Sequence, residues 1–233
     1  MKAIAVAALA AICRPAQALA APTRPTVRVP PPNGLLTRLP GNGNLLAFTV
    51  DDGVSTEVVG AFAAFCRDSG TRITFFVNGI NPSWSLNAPL LRPMVDSGQI
   101  QMGNHTWSHP YVTRISGAAL SDQIQRNKNF LRNTFGVDGT PYFRPPYGAH
   151  SAATDKIAAD LGYPTITLWS ATVGDSRVIN ERQLIGYAQQ AFVGQQIVLA
   201  HANRPPITHT YAQLLDIIAS RNLQTVTLND VFG

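Results

Sequence analysis

Cysteine is almost missing from the 233 residues: Cys13 and Cys66 are the only two, so no set of disulfides staples this fold. Cys13 falls in a segment expected to be discarded and comes after the bulky Ile12, where lipoprotein processing needs a small residue. Cys66 is then alone, and a buried apolar thiol is its expected role. Charge is sparse as well, at 13% of residues. Without a lysine-arginine run interleaved with aromatics, nothing supports nucleic-acid binding. The apolar run over residues 3–12 is too short for a bilayer span, and Arg14 and Pro15 stand just beyond its end, so no stable membrane insertion is expected.

The chain is nevertheless 45% hydrophobic, enough to bury the core of a single domain. Met1-Lys2, the apolar run and the small-residue stretch ending Ala18-Leu19-Ala20-Ala21 have the order of a secretory signal. Residues 1–21 are therefore expected to be cleaved after Ala20 or Ala21, which places the protein outside the cell or in the cell envelope. That segment carries Lys2 and Arg14 and no acid, so the formal charge of +5 becomes +3 without it. Residues 22–43 contain Pro22, Pro25, Pro30, Pro31 and Pro32 and lack an apolar period, which predicts an extended linker or a segment draped over the domain. The folded unit is expected over 44–233.

From there strand-like runs alternate with helical patterns. Strands are predicted over 45–50, 73–77, 101–103, 142–144, 165–169, 196–199 and 225–228; helices over 56–69, 89–97, 120–134, 154–161, 179–191 and 211–220. Repeated units of this kind favour a parallel α/β sheet closed into a (β/α) barrel, whose active sites lie at the carboxyl ends of the strands.

Polar residues cluster at those ends. Asp51-Asp52-Gly53 comes directly after the first strand, placing two carboxylates side by side with a glycine to turn the chain; taken alone, the same trio is common at turns and helix starts. His105 and His109 stand four apart in Gly103-Asn104-His105-Thr106-Trp107-Ser108-His109, a spacing that can aim two imidazoles at one ion, although either alone is compatible with a structural histidine. Arg144-Pro145-Pro146-Tyr147-Gly148 reads as a stiff turn able to hold an arginine and an amide in defined places, and in isolation equally as an ordinary proline loop. His201 ends the run Ile197-Val198-Leu199-Ala200, where an imidazole can deliver a proton, and Asp175, in the loop after Leu168-Trp169, can orient it or raise its pKa; taken alone, each also reads as an ordinary loop polar residue. His150 and His209 read as ordinary surface histidines.

The set Thr49-Val50-Asp51-Asp52-Gly53, His105 to His109, Arg144-Pro145-Pro146-Tyr147-Gly148 and Leu199-Ala200-His201 resembles the polysaccharide deacetylases of the NodB-homology type, carbohydrate esterase family 4. The likeness runs over residues 44–232 and includes Thr74-Phe75-Phe76-Val77-Asn78-Gly79. It implies a distorted (β/α)7 barrel. It also implies Asp51 as general base, Asp52, His105 and His109 as ligands of one divalent metal, and Arg144 as the partner that orients Asp51. His201 is implied as general acid tuned by Asp175, the Tyr147 amide as oxyanion donor and Leu199 as the wall around the acetyl methyl.

Zinc suits two imidazoles and a carboxylate, which also accept cobalt, nickel or manganese. The implied activity is removal of N-acetyl groups from N-acetylglucosamine polymers, peptidoglycan or chitin-like. An acetylxylan O-deacetylase with the same site and a non-catalytic carbohydrate-binding relative are the alternatives. Five positions depart from the family pattern: Val50 and Val54 stand for phenylalanine and proline, Ala202 for an aspartate after the histidine, and Thr172 and Ser176 for an aspartate and a tryptophan.

Overall fold

The computed structural model describes residues 28–233. The predicted signal over 1–21 and the first part of the predicted linker lie outside the described residues. Nine strands are present among those described: β1 (Gly34–Leu36), β2 (Leu45–Asp52), β3 (Ile73–Val77), β4 (Ile100–Asn104), β5 (Tyr142–Phe143), β6 (Thr165–Thr167), β7 (Ala171–Thr172), β8 (Gln196–His201) and β9 (Gln224–Thr225). The helices are α1 (Thr56–Ser69), α2 (Pro82–Leu86), α3 (Ala88–Asp96), α4 (Gly117–Phe135), α5 (Ala152–Asp160), α6 (Glu181–Ala191), α7 (Tyr211–Ser220) and α8 (Leu228–Val231).

The strands pair in parallel in the order β1-β6-β5-β4-β3-β2-β8-β7, with β9 also on β2. β6 and β7 are separated only by Leu168-Trp169-Ser170, so the two ends of this ladder are nearly continuous in the chain and the sheet curls round on itself. Within that short connection the Leu168 N–H still donates to Leu36 on β1 at 2.8 Å, while the Ser170 N–H already donates to Ile197 on β8 at 3.0 Å. The result is the α/β, distorted (β/α)7 barrel expected from the sequence, with its irregularity at the switch from β6 to β7.

Burial keeps the two-residue period of the strands. Leu46, Phe48 and Val50 of β2 face outward and join Val58, Phe62 and Cys66 of α1 in the main core. Ala47 of β2, Phe76 of β3, Tyr142 of β5 and Ile197 of β8 face the other way and pack with Leu36, Leu39 and Phe232 inside the barrel. A third cluster, with Leu120 and Ile124 of α4, Phe143 of β5 and Ile166 of β6, seals α4 and α5 onto the sheet. A helix of α1's length is marginal in water by itself. Here Ser55 caps its first turn, Gly70 in the left-handed region closes its last, and each buried phenylalanine contributes roughly 1.5–3 kcal/mol.

Two sequence expectations need correction. The folded unit does not begin at Asn44: β1 pairs with β6 in the register Gly34↔Thr165, Val29 bridges Phe232 and Arg38 bridges Gln196. An edge position explains why a proline-rich stretch can join a sheet, since only one side of such a strand must offer N–H groups, and Leu36 and Leu39 add apolar area that the barrel interior buries. The expected closing strand over 225–228 is also shorter. Only Gln224–Thr225 pairs with β2, because Thr227 caps α8 through a capping box with Asp230, and that local bonding competes with the ladder. Asp230 in turn holds the buried Arg72, at 2.5 Å from its Nε.

Candidate active site and metal centre

The chemistry-bearing strand ends converge at the carboxyl end of the barrel. The register sets Asp51 of β2 opposite His201 of β8 and opposite Phe76 of β3, and Asn104 at the end of β4 opposite Phe143. Strict alternation would send Asp52 to the outer face. Its φ of 74° turns it back, so two adjacent carboxylates both reach the mouth of the barrel. The Asp52 carbonyl is held by Trp84 Nε1 at 2.9 Å and Asn81 Nδ2 at 3.0 Å. Gly53 has φ 87°, and a Cβ there would collide with the Trp84 ring.

The histidine loop is shaped from below by α4. Its buried Asn127 donates to the Val77 carbonyl at 2.7 Å and accepts from the Gly79 N–H at 2.8 Å. Asn104 joins it, accepting from the Thr106 N–H at 3.0 Å and donating to the Ile124 carbonyl at 3.0 Å. Asn78 donates to the carbonyl of His105. Of the six non-glycine residues with left-handed backbone among those described, four (Asp52, Thr106, His109 and Tyr147) stand at this mouth. Such conformations cost of order 1–3 kcal/mol each and persist where surrounding structure imposes them.

Asp52 Oδ1 lies 3.3 Å from His105 Nε2 and 3.3 Å from His109 Nε2, and the three ligand atoms fall within 4.8 Å of one another. His105 Nδ1 sits 2.6 Å from the Arg144 carbonyl. A carbonyl only accepts, so Nδ1 carries a proton, and the neutral ring presents its lone pair at Nε2. Burial, then the neighbouring His105, pushes His109 below the ordinary imidazole range, towards its neutral form. Burial opposes ionisation of Asp52, and proton-bearing rings of His105, His109 and His201 draw its carboxyl well below the usual carboxylate range; beside neutral rings a bound cation would do the same. Buried Oδ1 has no hydrogen-bond partner. A buried carboxylate oxygen without a hydrogen-bond partner, set between two imidazole nitrogens, fits a divalent cation.

Arg144, fully buried, crosses the barrel interior. It donates from NH1 to Asp51 Oδ1 at 2.7 Å and Thr49 Oγ1 at 2.8 Å, and from NH2 and Nε to the carbonyls of Leu168 and Thr167 at 2.9 and 3.1 Å. Its guanidinium lies 4.0 Å from the centre of the Phe76 ring. That ring is in turn seated over Gly103, where a Cβ would come within 2.6 Å of it. Asp51 Oδ2 remains directed at the histidines, 3.6 Å from His105 Nε2.

On the neighbouring strand His201 is gripped twice by Asp175, which accepts from its backbone N–H and from Nδ1, both at 2.8 Å. Burial works against the imidazolium, but Asp175, reinforced by Asp51 and Asp52, raises its pKa to about 9. Tyr147 sits at φ 60°. Its ring stacks on Tyr111 at 4.3 Å, meets His109 edge-on at 4.5 Å, and Tyr111 carries Arg114 on its ring at 4.3 Å.

The residues singled out in the sequence therefore meet in one place. Asp51, Asp52, His105, His109, Tyr147, Leu199 and His201 line a cleft of about 390 Å³, and Arg144 and Asp175 stand behind it, each bonded to a lining residue. Trp169, Thr172, Ser176 and Asn203 also line it. Asn203 was not singled out in the sequence, and its only signal there is its place two residues beyond His201. A larger cavity of about 720 Å³ opens at the opposite end of the barrel, where Arg132 pairs with Asp138 at 3.0 Å and none of the converging acceptors is found.

Residues 38–166 match the family model described as polysaccharide deacetylase. A peptidoglycan-N-acetylglucosamine deacetylase from Listeria monocytogenes is 28% identical over 197 residues, covering 81% of this chain and 39% of that protein. The chain spans about half the length of the curated relatives it matches. Among solved structures, the chitin deacetylase of Colletotrichum lindemuthianum is 26% identical with a TM-score of 0.74, over 85% of this chain and 91% of that one. A carbohydrate esterase family 4 pseudoenzyme from Bacillus anthracis, 18% identical, also reaches a TM-score of 0.74 over 86% of this chain and 69% of that one, so the fold by itself says nothing of activity. The family match over more than half the chain, on a barrel whose mouth gathers Asp52, His105 and His109 into a group able to hold a metal ion, makes this chain a member of the polysaccharide deacetylase family, carbohydrate esterase family 4.

Proposed function

We propose that the protein is an exported deacetylase that removes N-acetyl groups from N-acetylglucosamine-containing polymers, peptidoglycan or chitin-like, with one divalent metal, zinc foremost, on Asp52, His105 and His109. The observation that carries this reading is the convergence of three acceptors beside an Arg144-bound carboxylate and an Asp175-bound imidazole in a single cleft. Export rests on the charge, apolar run and small-residue order of residues 1–21. Among the described residues no helix is long and apolar enough to cross a membrane. The polymer class draws support from the relatives' own names, a peptidoglycan-N-acetylglucosamine deacetylase and a chitin deacetylase.

A divalent ion bound there supplies Lewis acidity that polarises an amide carbonyl and acidifies water. With Oδ1 committed to Arg144, Asp51 has Oδ2 to accept the proton of the attacking water. The Tyr147 N–H has no backbone acceptor among the described residues, which supports its use, in this reading, as the donor to the oxygen on which negative charge develops. Leu199 packs against the acetyl methyl. His201, its Nδ1 proton bound by Asp175, delivers a proton from Nε2 to the departing nitrogen as the C–N bond breaks, and acetate and a free amine result. An amine leaves only when protonated, and an imidazole held charged up to about pH 9 suits that demand; an alkoxide leaving group needs it less.

The reading is tested by acetate release from N-acetylglucosamine oligomers and from acetylated xylan, using chelator-stripped protein with and without added zinc or cobalt. Metal-dependent release from the amino sugar is expected. Release from xylan alone moves the assignment to an O-deacetylase, and metal binding without any release moves it to a carbohydrate-binding protein.

The pH dependence carries a second expectation. The His201 pKa is raised, so the acid form is present below about pH 9 and lost above it, and kcat should fall on the basic side near that value. Asp175→Asn removes the largest favourable contribution to the imidazolium, and should move the basic limb towards the ordinary histidine value of about 6.5. A kcat–pH profile of the variant that retains the wild-type basic limb would rule His201 out as the acid.

A further inference from the structure

We infer that Asn203 is a positioning residue for Asp52, selecting which carboxylate oxygen faces the metal; the inference rests on the proposed metal site of Asp52, His105 and His109. Asn203 lies just past the end of β8, where the chain is latched to the exit of β2. The Ala202 N–H donates to the Asp51 carbonyl at 3.0 Å and the Ser55 N–H to the Ala202 carbonyl at 3.2 Å. From there Asn203 Nδ2 donates to Asp52 Oδ2 at 2.7 Å, and Asn203 Oδ1 accepts from the Val54 N–H at 3.1 Å. The two contacts orient the amide uniquely, because a backbone N–H only donates and a carboxylate only accepts. Residue 54 must not be proline for this, since a proline has no N–H to give.

The consequence falls on the carboxylate. Trp84, Asn81 and the Asn78 N–H donate to the Asp52 backbone carbonyl, not to its carboxylate. A carboxylate left to rotate would exchange its two oxygens or offer both. With Oδ2 tied to Asn203 by a charge-assisted bond, Oδ1 alone is turned to His105 and His109, 3.3 Å from each. Asn203 thus keeps Asp52 a one-oxygen ligand, which leaves coordination positions for water and substrate. A hydrogen-bond partner of this kind is typically worth 10- to 100-fold in metal affinity.

The test uses the full chain, stripped of metal and titrated with zinc alone, for the wild type, Asn203→Leu and Asn203→Ala. Leucine keeps most of the volume and removes both hydrogen bonds; alanine serves if leucine misfolds. Both variants are expected to bind zinc roughly 10- to 100-fold more weakly, to melt without metal close to the wild type, and to gain less from zinc in melting temperature. On an Asp52→Ala background Asn203→Leu should weaken zinc binding no further. Zinc dissociation constants within twofold of the wild type overturn the inference. So does a metal-free melting temperature that drops while the zinc-induced rise is undiminished, which is the signature of a merely structural side chain. A wild-type protein that does not bind zinc overturns the metal site itself, a different failure from a variant that binds as well as the wild type.

Discussion

Asp51→Asn is expected to lower kcat by about 10²- to 10⁴-fold, the usual contribution of a general base, while leaving zinc affinity nearly unchanged. Geometry separates the two effects. Asparagine is isosteric and its amide oxygen can keep the bond from Arg144 NH1, so the barrel interior is undisturbed. The ligand atoms belong to Asp52, His105 and His109, and none is altered. The change removes the capacity of position 51 to take a proton, which an amide lacks at any accessible pH. Single-turnover acetate release and a zinc titration on the same preparation measure the two quantities side by side. Equal losses in both would mean that Asp51 belongs to the metal site, and an unchanged kcat would remove it from the mechanism.

Arg144→Met is expected to be the most damaging single change to stability, at about 3–5 kcal/mol, the cost of leaving a buried charge without its partner. Burial draws the Arg144 pKa down and Asp51 draws it back up, so each ion is tolerated in the interior because of the other. Methionine fills much of the volume but leaves Asp51, Thr49 and the carbonyls of Thr167 and Leu168 without their donor. Urea denaturation of the metal-free proteins measures the loss. The double variant Arg144→Met/Asp51→Asn should recover part of it, because it no longer strands a carboxylate. Strict additivity, or a loss below about 1 kcal/mol for the single variant, would show that the pair does not tie β2, β5 and β6 together.

The elements that were legible in the sequence share a cause. β2, β3 and β8 are buried on both faces, so they read as near-continuous apolar runs, and α1 and α4 carry caps and an apolar stripe within their own residues. The chemistry-bearing residues could be found from their placement after those runs. β1 and β7 were not legible, because three-residue and two-residue strands owe their conformation to partners more than a hundred and some twenty-five residues away in the chain. The five-residue α2 gives no sequence signal of its own for a similar reason, whereas α3 coincides with the helix expected over 89–97. Trp84 reads as an ordinary apolar residue until its indole is seen to hold the Asp52 carbonyl.

The sequence by itself determined the barrel class and, Asn203 apart, the chemistry-bearing groups at its mouth, because strand period, helix caps and the order of motifs are properties of neighbouring residues. Only the tertiary structure decided how those groups are aimed. The left-handed turn at Asp52, the proton on His105 Nδ1 set by the Arg144 carbonyl, and the choice of carboxylate oxygen made by Asn203 each depend on contacts between segments far apart in the chain. Orientation of this kind is written in hydrogen bonds between strand ends, and it exists only once the sheet has curled to bring those ends together.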